Sequence, residues 1–371
     1  MDTWVKLAIF LSVGCHACGG GGPTDQGVSE PPNRPPAILG LTAESELVDP
    51  SGSTFLTASA EDPDGDQLQY FWEVSAGAIM GSGPSVEWTL PSESDFYTVT
   101  LSVSDARGGM DTSSAEVAVR GFTLLVGSDQ GLIAFDEDGN RSSPIPLHSY
   151  RALIEVLGLR IFVGHTGIGL EEHHHSGRSL WKISEPPEIG RMINFTALPE
   201  GRFAILDNAA DLISIIDSTG MVFQQVGWQG EPNNHLQNMH GEFLDDQLII
   251  SETGDRTILK LDLNTMEFSL FRDFSDACGF LGDIAWAENT YYSAQGYNVV
   301  AFTAESPATQ VLSAYPDNWV AGIVVVGRYL YCTINHAGKV LRADLETGEV
   351  EVFAEGLDHP SDIEFYPVTL R

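Results

Sequence analysis

Residues 248–265 read LIISETGDRTILKLDLNT, an apolar run, a short polar turn, and a segment in which Leu259, Leu261 and Leu263 alternate with Lys260 and Asp262. A period of two is the mark of a strand with one covered face, and an apolar run this short between turn residues suits a strand buried on both. The same order recurs. Apolar quartets begin at Leu124, Ile161, Phe203, Leu248, Thr290 and Tyr329, spaced 37, 42, 45, 42 and 39 residues apart. Each is followed by a second strand-like segment, as in GLIAFDEDGN at 131–140, DLISIIDSTG at 211–220 and KVLRADLETG at 339–348. A unit of about forty residues holding several strands is a propeller blade. Six units predict a six-bladed β-propeller over residues 121–371.

The two ends of that region fit one blade. The chain enters at Gly121 with too few strands for a whole blade, and HPSDIEFYP at 359–367 reads as a first strand with nothing after it. Pairing the two would close the ring and leave no sheet edge at the join. The repeats, with DLETG at 344–348 and LDHP at 357–360, resemble the NHL-type and gluconolactonase-like six-bladed propellers. In gluconolactonase-like enzymes a central metal is held by a Glu of the first blade with Asn and Asp from others. GSDQG at 127–131 stands in the corresponding region without that Glu, which weighs against the enzyme reading.

Residues 36–120 form a separate module of short alternating strands: TFLTASAED, LQYFWEV, SVEWTL, FYTVTLSVSD and AEVAV. Turn residues separate them at the spacing of a β-sandwich. Tyr97, Val99, Leu101 and Val103 share one face, and Trp72 is expected as the central aromatic. DPDGD at 62–66, Tyr70, Trp72, YTVTLSVSD at 97–105 and Gly108–Gly109 resemble the immunoglobulin-like domains of the polycystic-kidney-disease (PKD) type. The resemblance implies a spacer or weak adhesion module without catalysis. Asp62, Asp64 and Asp66 could converge as oxygen ligands for calcium; the needs of a sharp turn account for the same residues. The fold expected for the whole chain is all-β, an immunoglobulin-like sandwich followed by the propeller.

The first eighteen residues carry one Lys, a short apolar run and then cysteine, the order of an export signal, and the run is too short for a permanent membrane helix. With the Gly- and Pro-rich stretch 19–35 behind it, the N-terminus resembles that of bacterial lipoproteins. The resemblance implies lipidation of Cys18, a flexible tether, and a place in the cell envelope at the outer membrane; secretion after ordinary cleavage is the alternative. Cys278 and Cys332 then remain, enough for one disulfide or two free thiols. With 52 acidic against 18 basic residues and a net charge of -34, the surface repels nucleic acid.

No familiar hydrolase, zinc-protease or phosphate-loop motif occurs in the sequence. In a propeller the loops between second and third strands and those leading into inner strands open on one face, which here would collect His165, Asp207, Glu252, Asp255, His336, His240, Asp283 and Asp362. Two long connections, 164–180 and 227–243, are expected on that face. The first holds His173, His174 and His175, where His173 and His175 could supply imidazoles to zinc, copper or nickel, or simply be solvated. The second offers Trp228, Asn233, Asn234 and His235 for stacking and amide hydrogen bonds with a sugar or peptide. The expected function is non-catalytic binding of an envelope protein or polysaccharide, with membrane attachment through the lipid. A metal-dependent propeller lactonase, lyase or glycan hydrolase is the rival.

Overall fold

The computed structural model describes residues 31–141, 152–165, 169–183, 192–207, 211–227, 240–275, 280–314 and 318–370. Among them every regular element is a strand except the single 3-10 turn Pro199–Gly201.

Two four-stranded sheets make the N-terminal module. One joins Ala37–Ala43, Ser53–Glu61, Ser85–Thr89 and Ala78–Ser82; the other joins Leu47–Val48, Met110–Val119, Phe96–Ser104 and Gln69–Val74. Tyr97, Val99, Leu101 and Val103 alternate inward as their period requires. The core aromatic is Trp88, fully covered, whose indole N–H donates to the Ala76 carbonyl at 3.0 Å. Trp72 does not take that place. It lies on an edge strand, half-buried, donating to the Gly83 carbonyl at 3.0 Å, whereas Trp88 belongs to a strand flanked on both sides.

Six sheets follow as a propeller. In blade 1 the inner strand is Asp362–Tyr366, antiparallel to Thr123–Ser128, which pairs with Gly131–Phe135. The inner strands of blades 2 to 6 are Leu153–Leu157, Met192–Leu198, His240–Leu244, Leu281–Ala287 and Val320–Val326, each heading a four-stranded antiparallel sheet. Every inner strand touches those of both neighbouring blades, and the last meets the first, so the ring is closed. The second strands are the most deeply buried because sheets pack on both of their faces. This explains the unbroken apolar quartets.

Carboxylates fasten neighbouring blades together. Asp283 accepts from the Ile323 amide of blade 6 at 2.8 Å, and Asp362 from the Ile154 amide of blade 2 at 2.8 Å. Gly322 permits the close approach at the join, since a Cβ there would lie 2.8 Å from the Asp362 Cα.

The same inner strands bring three further acids to the axis. Glu155, Glu242 and Glu364 occupy one register, each opposite the third residue of its neighbouring strand: Phe162, Ile249 and Leu125. Glu364 of blade 1 and Glu242 of blade 4 lie on opposite sides of the ring and still repel one another, so the interaction crosses the channel. Although these side chains keep contact with the lumen, the strands enclose them and take away most of their hydration. Burial, then the surrounding carboxylates, raise Glu155 and Glu364 well above the usual carboxylate range; burial and Asp283 raise Glu242 to about 8.

A raised acid pKa means that the folded state binds more protons than the unfolded chain at neutral pH. Stability is therefore full at and below the ordinary glutamate range and falls as pH rises through about 8. Glu242→Gln should melt like the parent at pH 5 and at least about 4 °C higher at pH 8.5, by differential scanning calorimetry. Parallel pH profiles for the two proteins would contradict the assignment.

Candidate functional site

The two ends of the propeller differ in what covers them. The sandwich occupies the end where first strands turn into second ones: Leu47, Phe96 and Ala118 pack with Leu125, Tyr366, Val368 and Leu370. Gly121 donates its amide to the Pro367 carbonyl at 2.8 Å, and Thr369 to the Ser94 hydroxyl at 3.0 Å. A Cβ at Gly121 would collide with the hydroxyls of Ser94 and Thr369, so the link between the modules demands glycine. The opposite end carries the loops between second and third strands and the segments leading into inner strands.

At that open end three aromatic side chains stand in solvent. Phe280, Tyr297 and Trp319 are 57%, 47% and 53% exposed, and the Phe280 and Trp319 rings stack with centroids 5.6 Å apart. Backbone bonds hold them together: Gly296 donates to the Phe280 carbonyl at 2.8 Å, and Val320 to that of Gly296 at 2.9 Å. Asn335 links this ledge to a polar group beside it, its amide donating to the Trp319 carbonyl at 3.1 Å and its side chain to that of Pro360 at 2.9 Å. There His359 lies 2.9 Å from Asp358 and 3.3 Å from Asp129, with the His336 ring edge-on at 6.0 Å. His359 has φ +43°, a left-handed conformation disfavoured for residues with a Cβ. Aromatic faces beside carboxylates and imidazoles suit a ligand with an apolar face and hydroxyl or cationic edges.

Of the residues singled out in the sequence, His336 belongs to this group. Others are engaged within the fold. Asp207 and Glu252 are buried, and Glu252 braces its own turn by accepting the amides of Gly254 and Asp255, each at 2.6 Å. Asp283 and Asp362 fasten blades, as above. His165 ends the second strand of blade 2 and His240 opens the inner strand of blade 4. Trp228, Asn233, Asn234, His235, Cys18 and Cys278 lie outside the described residues. Cys332 is a fully buried free thiol whose pKa burial pushes up to about 12. Phe280, Tyr297, Trp319, Asp129, Asp358 and His359 were not foreseen as a site; isolated aromatics in loops carry no periodic signal.

The histidine run is a correction. Among the described residues of 164–180, Gly169–His173 and Ser179–Ile183 are strands that form the outer half of blade 2. His174 and His175 therefore sit in a hairpin turn at the sandwich-covered end, away from the open end. His173 points elsewhere, 3.4 Å from Glu171. Burial, then the neighbouring His174, hold the His175 imidazole below the usual histidine range.

In the sandwich, Asp62 and Asp66 meet Asp105, with one oxygen of each within 4.8 Å of the others. Asp64 does not join them, because it pairs with Arg34. Asn33 enters instead, donating to Asp105 at 2.8 Å, so the end of the expected tether is fixed to the sandwich. One oxygen each of Asn33, Asp62 and Asp66 is fully covered without a hydrogen-bond partner. Hard oxygen donors at such spacing fit calcium, whose ligands lie at about 2.4 Å and thus no more than about 5 Å apart. Among the described residues two further groups could share an ion, Glu116–His174–His175 and Asp129–Asp358–His359; the channel acids do not form such a group.

No protein-family model matches the chain, and no curated protein matches it. Solved structures do. A chain of a nidogen/laminin complex superposes with a TM-score of 0.53 at 13% identity, covering 66% of this chain and 98% of that one. Virginiamycin B lyase from Staphylococcus aureus gives 0.45 at 13%, covering 60% and 86%. An auxiliary nutrient binding protein from Bacteroides thetaiotaomicron gives 0.43 at 11%, covering 89% and 90%. The likeness to the first shows the β-propeller fold, a fold that hosts both binding proteins and enzymes.

If the Asp62–Asp66–Asp105 group holds calcium, about 1 mM calcium should raise the melting temperature of the EDTA-treated protein by several degrees, and Asp105→Asn should remove the increment. An unchanged melting curve in the parent would reject the site.

Proposed function

We propose that the protein is a non-catalytic binding protein of the bacterial cell envelope, lipid-anchored through Cys18. In this reading the N-terminal sandwich is an immunoglobulin-like spacer of the PKD type, and the open end of the propeller grips an envelope polysaccharide, with an envelope protein the other candidate. The ledge of Phe280, Tyr297 and Trp319 carries the reading, because pyranose rings offer the apolar faces such side chains stack upon while Asp129, Asp358 and the imidazoles meet hydroxyls. The spacer reading is supported by Tyr97, whose hydroxyl donates to the Glu93 carbonyl at 2.9 Å, the corner found in immunoglobulin-like sandwiches. Docking of the sandwich on one end of the propeller leaves the other free to face outward.

A metal-dependent enzyme is the second reading, favoured by the Asp129–Asp358–His359 group beside the ledge. The two differ in one observable: an enzyme would consume the saccharide it binds.

Purified protein applied to a glycan array and to extracted envelope polysaccharide should bind, and Trp319→Ala should weaken binding about tenfold, or about 1.4 kcal/mol, with unchanged melting. Equal binding by parent and Phe280→Ala/Trp319→Ala would sink the ledge as the site, and a Cys18→Ser chain that stays in the membrane fraction would remove the anchor.

A further inference from the structure

The turn at 174–178 meets the N-terminal sandwich in a way that neither the ring nor the open end requires. The His175 ring lies flat on Phe96 of the sandwich, with centroids 3.6 Å apart and planes within 5°. His174 lies against His175 at 3.9 Å, and its Nδ1 is 2.8 Å from the Ser176 hydroxyl. Both Nε2 atoms are turned to one carboxylate oxygen of Glu116 on the sandwich strand Met110–Val119, at 3.7 Å from His174 and 3.8 Å from His175. The His175 Nε2 is fully covered and has no hydrogen-bond partner. An imidazole nitrogen left so, beside a second one and a carboxylate, lacks the partner that buried polar atoms ordinarily have.

We propose that Glu116, His174 and His175 form a zinc-type divalent metal site that ties the sandwich to blade 2. The donor set is two imidazoles and one carboxylate, with the fourth position left to water, since the exposed rim of Glu116 opens to solvent. Zinc bonds of about 2.1 Å in tetrahedral array set ligand atoms about 3.4 Å apart, so the two imidazole–carboxylate separations need to close by only a few tenths of an ångström, and all three ligand atoms already lie within 4.8 Å of one another. The surrounding groups are arranged for this. The Ser176 amide N–H donates to His174 Nδ1 at 3.3 Å and the Ser176 hydroxyl lies 2.8 Å from the same atom, so the turn fixes the ring with Nε2 towards Glu116. Phe96 does the same for His175 by stacking. The ligands come from both modules, so the ion would fix their junction as well as bind to it.

Isothermal titration of zinc into the metal-stripped protein tests the site directly. One equivalent should bind, Glu116→Gln and His174→Gln should each weaken it at least tenfold, and His359→Gln, which alters the other imidazole-containing group, should leave it in place. Hydrogen exchange at 94–97 and 367–370 should slow on adding zinc to the parent and not to Glu116→Gln. Uptake unaffected by Glu116→Gln would mean that the histidine turn binds alone, and the junction site would be wrong. Loss of uptake in His359→Gln with retention in His174→Gln would move the metal to the open end and overturn the proposal equally. Circular dichroism of each variant separates loss of ligand from loss of fold.

Discussion

The pairing of Asp362–Tyr366 with Thr123–Ser128 is the constraint on which the rest of the molecule depends. It joins segments more than two hundred residues apart, and without it blade 1 would be a two-stranded fragment and the last inner strand an open edge. Its reach is wider than one sheet. Asp362 takes the Ile154 amide of blade 2, so closure also sets the spacing between first and second blades. Immediately beyond the strand, Val368 and Leu370 bond to the Thr123 hydroxyl, and Thr369 to Ser94 of the sandwich. One short terminal segment thus closes the ring and docks the N-terminal module on it.

That coupling orders the two ends of the propeller. The sandwich covers one end through a continuous apolar layer, Leu47, Phe96 and Ala118 against Tyr366 and Val368, and among the described residues no such layer covers the other. Between them the axis is lined by acids that resist ionisation together, because removal of one proton raises the cost of removing the next across a poorly hydrated space. Burial dominates at Glu242 as well, with Asp283 adding to it, and raises that acid to about 8.

Much of the propeller was legible in the sequence because its second strands are buried on both faces and so appear as apolar runs at a regular spacing. Outer strands were less so. Val222–Gly227, Glu267–Asp273 and Val350–Glu355 are largely exposed, and their hydrogen bonds leave no apolar pattern. The strand Gly169–His173 was misread as part of an irregular loop for a more specific reason. Glu172 is buried there only because Arg160 of the neighbouring strand holds both its oxygens, at 2.8 and 2.9 Å, and a local sequence pattern cannot show a partner twelve residues away. The same holds at the axis, where Glu155, Glu242 and Glu364 become equivalent only once strand register is known. In the sandwich, DPDGD was visible as an oxygen-rich turn; that Asp105 and Asn33 would complete it, and that Arg34 would draw Asp64 away, depended on contacts between distant segments.

Charge narrows what the open end can hold. A chain of net charge -34 surrounds its ledge with negative potential, and Asp129 and Asp358 stand within the site itself. Salt screens the distant charges over about 8 Å at physiological strength, but it does little for groups in contact with a ligand. An anionic polysaccharide would therefore meet unscreened carboxylates just where its hydroxyls must be bound, at a cost that stacking on Trp319 would have to offset. A neutral glycan meets no such opposition, and an amino sugar or a lysine-rich protein segment would gain from it. Within the binding reading, chemistry thus orders the candidates: neutral and cationic ligands with an apolar face come before acidic ones, and the aromatic ledge selects among them by shape.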